Sequence, residues 1–134
     1  MARRADLPTI EAESRPYWDA AAQRRLLIVG CRTCGERHHY PRPFCPECWS
    51  EDVEWIEASG RAELYTWSVV FVNGAPAFAD RVPYIAAVVD LAEGPRVMTH
   101  LVDCEPEALA IGMALQVDFE PLDDEVLTPV FRPA

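Results

Sequence analysis

The chain has no lysine, and all 12 of its basic residues are arginines. That pattern reads as the coding bias of a GC-rich genome more than as a chemical requirement. No apolar run approaches the roughly 18 residues that a membrane-spanning helix needs. Arg3 and Arg4 stand near the start, but no apolar stretch follows them, so no signal peptide is expected and the expectation is a soluble, cytoplasmic protein. There is no internal repeat, no low-complexity segment and no glycine-rich phosphate loop. Neither a Ser-His-Asp nor a Cys-His arrangement emerges from the spacing, so the residues nominate no catalytic group.

What is present is a chain of 134 residues, half of them apolar, which fits one domain or a domain with a small satellite. Charge is unevenly distributed. Residues 1–50 carry eight arginines against six acids, a net of +2, whereas residues 51–134 carry four against sixteen, a net of −12. An acidic second half repels phosphate backbones and argues against nucleic-acid binding there.

Four of the five cysteines form two pairs, Cys31-Arg32-Thr33-Cys34 and Cys45-Pro46-Glu47-Cys48, ten residues apart. Two residues between cysteines let a tight turn aim both sulfurs at one ion, and two such turns complete a tetrahedron. Zinc suits four thiolates, because it has no preferred d-electron geometry and accepts soft ligands. Gly35 supplies the positive φ such a knuckle uses, and Pro46 stiffens the second turn. A closed four-thiolate site leaves no position for substrate, so the expected role is one structural zinc. A rubredoxin-type iron is the minor alternative. Between the knuckles, residues 36–44 form a fingertip. With Arg32 it groups three arginines (Arg32, Arg37, Arg42) and two histidines (His38, His39), a patch suited to a phosphate-bearing ligand or an acidic surface.

The coarse order is a flexible arm over residues 1–13, then a short helix capped by Ser14 with Pro16 in its first turn. Tyr17 and Trp18 lie on this helix, which is too short to be stable unless it docks. An apolar strand runs from Leu26 into Cys31, and an imperfect strand spans 52–57. After Gly60 the chain becomes all-β: strands at 62–72, 84–91, 96–102, 115–120 and 126–131, with one helical turn near 105–109. Pro129 places the last strand at an edge. The fold class is mainly β. Residues 1–25 are arm and helix, 26–58 a zinc ribbon, and 59–134 a five-stranded barrel of OB type, with a sandwich as alternative.

Several motifs in this order carry a resemblance. They are Pro16-Tyr17-Trp18, Cys31-x2-Cys34-Gly35, Pro41-Arg42-Pro43, Cys45-Pro46-x-Cys48 and Trp55. Gly60, Val82-Pro83-Tyr84, Val89-Asp90-Leu91, Ile111-Gly112-Met113 and Pro129-Val130-Phe131-Arg132-Pro133 follow. From about residue 14 onward the chain resembles the Zn-ribbon/OB-fold acyl-CoA-associated proteins. The resemblance implies a rubredoxin-like ribbon whose zinc ligands are Cys31, Cys34, Cys45 and Cys48. It further implies a non-catalytic subunit beside a thiolase-like enzyme, such as a steroid side-chain retro-aldolase, or beside a MaoC-like enoyl-CoA hydratase. In such a complex Arg32, Arg37 and Arg42 are candidates for the phosphates of CoA, and Tyr17 and Trp18 for the partner surface.

Three candidates for independent chemistry remain: Cys104, His100 and the pair Asp80 with Arg81. Asp103 and Glu105 flank Cys104 and should raise its pKa, making it a poor nucleophile. His100 sits mid-strand, and Asp80 with Arg81 could shape a ligand mouth. The rival functional classes are a nucleic-acid-binding ribbon/OB module and a stand-alone CoA-ester enzyme.

Overall fold

The computed structural model describes residues 7–134. Of the expected flexible arm, residues 1–6 lie outside the described residues. Helix α1 spans Arg15–Ala22, with Ser14 at its N-cap and a proline in its first turn. Ser14 does not cap through its side chain. Its Oγ donates to the Glu11 carbonyl (3.3 Å) and accepts from the Glu11 N–H (3.2 Å). At the other end, Arg24 N–H donates to Ala21 O and Arg25 N–H to Ala20 O (both 2.9 Å), with Arg24 at φ 59°. This is a Schellman stop built without glycine. Tyr17, Ala20 and Ala21 are buried, so this helix docks on its own chain, against the first and last strands.

Strand β1 (Leu27–Cys31) is flanked by β2 (Arg37–His38) and β3 (Val53–Glu57) in an antiparallel sheet of order β2-β1-β3. β1 is apolar throughout because Ile28, Val29 and Cys31 are all buried. β2 is only two residues long and gives no sequence signal. The barrel follows: β4 (Arg61–Val70), β5 (Tyr84–Leu91), β6 (Arg96–Leu101), β7 (Ala114–Pro121) and β8 (Leu127–Pro133), closed in the order β4-β5-β6-β8-β7. A 3₁₀ turn, Pro106–Ala108, separates β6 from β7. Alternation in β5 puts Ile85, Ala87, Val89 and Leu91 inside, where they meet Leu64, Leu115 and Phe131.

The expectation that Pro129 marks an edge strand is corrected by closure, since β8 lies between β6 and β7. The proline is tolerated because β8 meets β6 only at Leu101↔Phe131, whereas its β7 register runs from Leu115↔Pro133 to Pro121↔Leu127. Opposite Pro129 the β6 side makes no ladder bond, so its missing N–H costs nothing there.

Gly60 joins ribbon to barrel at φ +83°, and an added Cβ would lie 2.3 Å from Val117 Cγ1. Its carbonyl accepts from Val117 N–H (2.8 Å), so the close approach is itself a hydrogen bond to β7. Arg24 Nη1 meets Asp118 (3.5 Å) and Arg25 Nη1 meets Glu57 (3.0 Å), tying the end of α1 to β7 and β3. No helix among the described residues is long and apolar enough to cross a membrane.

Candidate metal centre and basic fingertip

The two knuckles are built alike. In the first, Gly35 N–H donates to Cys31 O (2.9 Å) and Cys34 N–H points at Cys31 Sγ (3.5 Å). In the second, Trp49 N–H donates to Cys45 O (2.8 Å) and Glu47 N–H points at Cys45 Sγ (3.4 Å). Gly35 has φ 80°, and the equivalent position in the second knuckle is Trp49 at φ 66°. Thr33 Oγ1 and Ser50 Oγ, 2.7 Å apart, link the knuckles.

All four sulfurs lie within 4.8 Å of one another, with Cys31–Cys48 and Cys34–Cys45 each 3.6 Å apart. A tetrahedron of zinc–sulfur bonds of about 2.3 Å has edges of about 3.8 Å, so the donor set fits zinc and is far too open for disulfides. The Cys34 backbone N–H is the main cause that brings the Cys31 thiol down to about 6. The Glu36 backbone N–H acts the same way on Cys34, but burial and the neighbouring sulfurs prevail and push it up to about 12. Four thiolates therefore coexist here only around a cation. Cys31 and Cys45 are buried while Cys34 and Cys48 face outward. Bound zinc would offset two of the four thiolate charges and lock the two turns together.

The three fingertip arginines separate. Arg32 is held by Asp52 (2.9 Å) and by two bonds to Glu54 (2.9 and 3.2 Å), both from the β3 side. These acids satisfy its guanidinium, and Arg32 is not among the residues that line the hollow shared by Arg37 and Arg42. Arg37 and Arg42 instead line a hollow of about 270 Å³ between fingertip and barrel, and Arg96 enters it from β6. No carboxylate belongs to that lining. Arg96 also pairs with Asp90 (2.7 Å) and lies 3.6 Å over the Tyr65 ring. Both ring nitrogens of His38, and His39 Nδ1, are buried without a hydrogen-bond partner. Arg96 escaped the sequence reading because 54 residues separate it from Arg42, and only the closing of ribbon onto barrel brings them together.

Tyr17 faces inward, 8% exposed, with its hydroxyl 3.4 Å from His39 Nε2. Its ring, expected at the partner surface, is packed within the chain. Trp18 packs edge-on against Tyr17 (5.0 Å) and is half-buried. Arg37 Nη1 donates to the Glu93 carbonyl (3.3 Å), and Ser59 N–H donates to Glu93 Oε2 (3.0 Å). Burial pushes the Glu93 carboxyl up, but the Ser59 bonds, its own N–H and nearby Arg37 outweigh this and hold it down.

Burial, then Asp103 and Glu105, raise the Cys104 thiol above its ordinary value, the direction expected from its neighbours. His100 stacks on Tyr84 (4.8 Å), and burial lowers its pKa, with Glu120 opposing and Arg81 adding to the shift. Arg81 lies 5.4 Å from the Phe78 ring centroid in the 73–83 loop.

Residues 18–54 match the model of the ChsH2 rubredoxin-like zinc ribbon domain, and residues 55–120 that of the ChsH2 C-terminal OB-fold domain. The chain is 40% identical over 127 residues to a protein named "Probable enoyl-CoA hydratase alpha subunit" from Thermomonospora curvata. The match covers 95% of this chain, which spans 39% of that relative's length. It is 38% identical to a DUF35 domain-containing scaffold protein from Methanocaldococcus jannaschii, over 83% of this chain and 82% of the relative. Among solved structures, a chain of the Ltp2-ChsH2(DUF35) aldolase superimposes with a TM-score of 0.83 at 39% identity, covering 95% of this chain and 98% of that one. The chain therefore belongs to the DUF35 family, with a ChsH2-type zinc ribbon followed by a ChsH2-type OB-fold.

Proposed function

We propose that this protein is a non-catalytic cytoplasmic subunit that scaffolds an acyl-CoA-processing enzyme, with a thiolase-like aldolase as its partner. The observation that carries the reading is the likeness to the DUF35 chain of an aldolase, which extends over 98% of that chain. The site chemistry agrees. Four thiolates close the zinc's coordination, leaving the ion as a brace for the fingertip and not a Lewis acid. The Arg37–Arg42–Arg96 hollow supplies guanidinium groups, without competing carboxylates in its lining, for the phosphates of a CoA thioester held at the junction with the partner. Arg32 is left out of that role.

The test is co-expression with a thiolase-like protein from the same source organism. The expected result is one co-eluting complex whose carbon–carbon cleavage activity disappears when this chain is omitted. Arg37→Ala with Arg42→Ala should weaken CoA-thioester binding to the complex about tenfold or more, as the loss of two charge-assisted contacts implies. Separate elution of the two chains, or turnover by this chain alone, would overturn the proposal.

A MaoC-like enoyl-CoA hydratase partner is the second reading. The Thermomonospora relative favours it, because most of that hydratase subunit's length lies outside the matched region. Hydration activity in the complex, in place of cleavage, would select it.

A further inference from the structure

β4 is paired on both sides only at its start. Its register with β7 covers Arg61–Glu63, and Leu64 N–H still reaches Met113 O (3.0 Å). A bulge between Leu64 and Thr66 then bends the strand. From Thr66 to Val70 it pairs only with β5, and no other backbone hydrogen bond reaches these residues among those described. The far edge of this segment is thus an unpaired row of N–H and C=O groups. Apart from that bulge the edge carries no protection of its own: from Thr66 to Val72 there is no proline and no charge. Phe71 is 71% and Val72 86% exposed just beyond it.

At the end of this segment lies a groove of about 630 Å³, where Val69, its register partner Ile85 and Leu101 line up across β4, β5 and β6 and Phe71 adds apolar surface. Its other wall is the segment after β6, which contributes Asp103, Glu105 and Glu107, and no basic residue enters the lining. Burial, and after it the charges of Asp103 and Glu105, raise the Cys104 thiol on the same segment.

We infer that the outer edge of β4 from Thr66 to Val70, with Phe71 and Val72 continuing it, accepts an extended segment of the partner subunit as an added strand, and that this segment alternates apolar with basic residues. The seven positions span about 23 Å at roughly 3.3 Å per residue, enough for main-chain pairing to give affinity while alternate side chains enter the groove. Basic residues on that strand would meet the three carboxylates, which disfavour an acidic segment. That the strand comes from a partner enzyme rests on the accessory-subunit reading. The chemistry of edge and groove does not.

The test uses the full zinc-loaded chain and two octapeptides, one alternating valine with arginine and the other valine with glutamate. Hydrogen exchange of the amides in 66–72 should slow about tenfold or more at saturating arginine peptide and stay unchanged with the glutamate peptide. Glu105→Gln with Glu107→Gln should weaken arginine-peptide binding about tenfold. Phe71→Arg, at an exposed position that folding does not need, should abolish it. No protection by either peptide, equal protection by both, or binding indifferent to these variants would overturn the inference. Protection without co-elution of an enzyme would sink the accessory reading and leave the docking edge standing. Co-elution without protection would do the reverse.

Discussion

Burial holds His39 neutral. Enclosed beside Tyr17, and next to His38, its pKa falls to about 4. An unfolded histidine titrates near 6.5. Folding therefore excludes a proton that the unfolded chain binds, and the stability this contributes is present above about pH 6.5 and lost as pH falls toward 4. Between pH 7 and pH 5 the loss from this one group is about 2 kcal/mol. Urea denaturation at the two pH values, with zinc present throughout, checks it: His39→Phe should remove about that much of the pH dependence. An unchanged slope would mean that His39 protonates freely in the folded protein. At the same scale, Gly35 was readable from sequence because only a residue tolerant of positive φ suits that knuckle turn. Its counterpart Trp49 was not. A tryptophan at φ 66° breaks the local preference, and it stacks on Phe44 at 5.2 Å. The fate of Arg32 was equally hidden, since its partners Asp52 and Glu54 lie 20 and 22 residues away.

At the scale of elements, α1 shows how tertiary contacts rescue a segment that cannot stand alone. Eight residues lie below the length at which isolated helices persist, and Ser14 provides no side-chain cap. What holds it is the burial of Tyr17, Ala20 and Ala21, reinforced by the Arg24–Asp118 and Arg25–Glu57 pairs. These pairs are exposed and worth little individually. Tyr17→Ala should therefore cost about 3–5 kcal/mol, as for other large-to-small core changes. Its hydrogen-exchange signature should be loss of protection in α1 first, and a loss below about 1 kcal/mol would show that the helix is not anchored there. The strands were largely legible because each alternates or runs apolar over five or more residues, and Tyr84–Leu91 has the bounds the pattern indicated. β2 was invisible, since two residues carry no period. The edge position assigned to Pro129 failed for a related reason. Proline reports a missing donor but not which neighbour would have needed it.

Across the whole molecule, two modules rely on different sources of stability. The barrel has its own core around Leu64, Val89, Leu115 and Phe131. The knuckles have a cluster of sulfurs, a few turns and exposed loops, a part of the chain too small to fold on apolar burial alone. In zinc-finger peptides at neutral pH, binding of a structural zinc supplies about 10–16 kcal/mol, so its removal should be local and severe. Stripping zinc with a chelator, or replacing Cys45 by serine, should leave protein without its equivalent of zinc. Amides of residues 31–50 should then exchange freely while β4 to β8 remain protected. β1 should hold partly, because Ile28 belongs to the barrel's core cluster. Collapse of the barrel together with the knuckles would show one cooperative unit instead.

The amino-acid sequence by itself determined the metal ligands, the order of ribbon and barrel, and most of the strands. Each of these is set by local spacing, two residues between sulfurs or two between inward side chains. Only the tertiary structure decided which arginines share a hollow, that Tyr17 turns inward, and that β4 leaves an open edge beside three carboxylates. Those features depend on pairings between residues tens of positions apart, and on how far a bulge bends one strand from its neighbour. The zinc site was thus legible before folding, whereas the surfaces that a partner would read exist only once the ribbon has closed on the barrel.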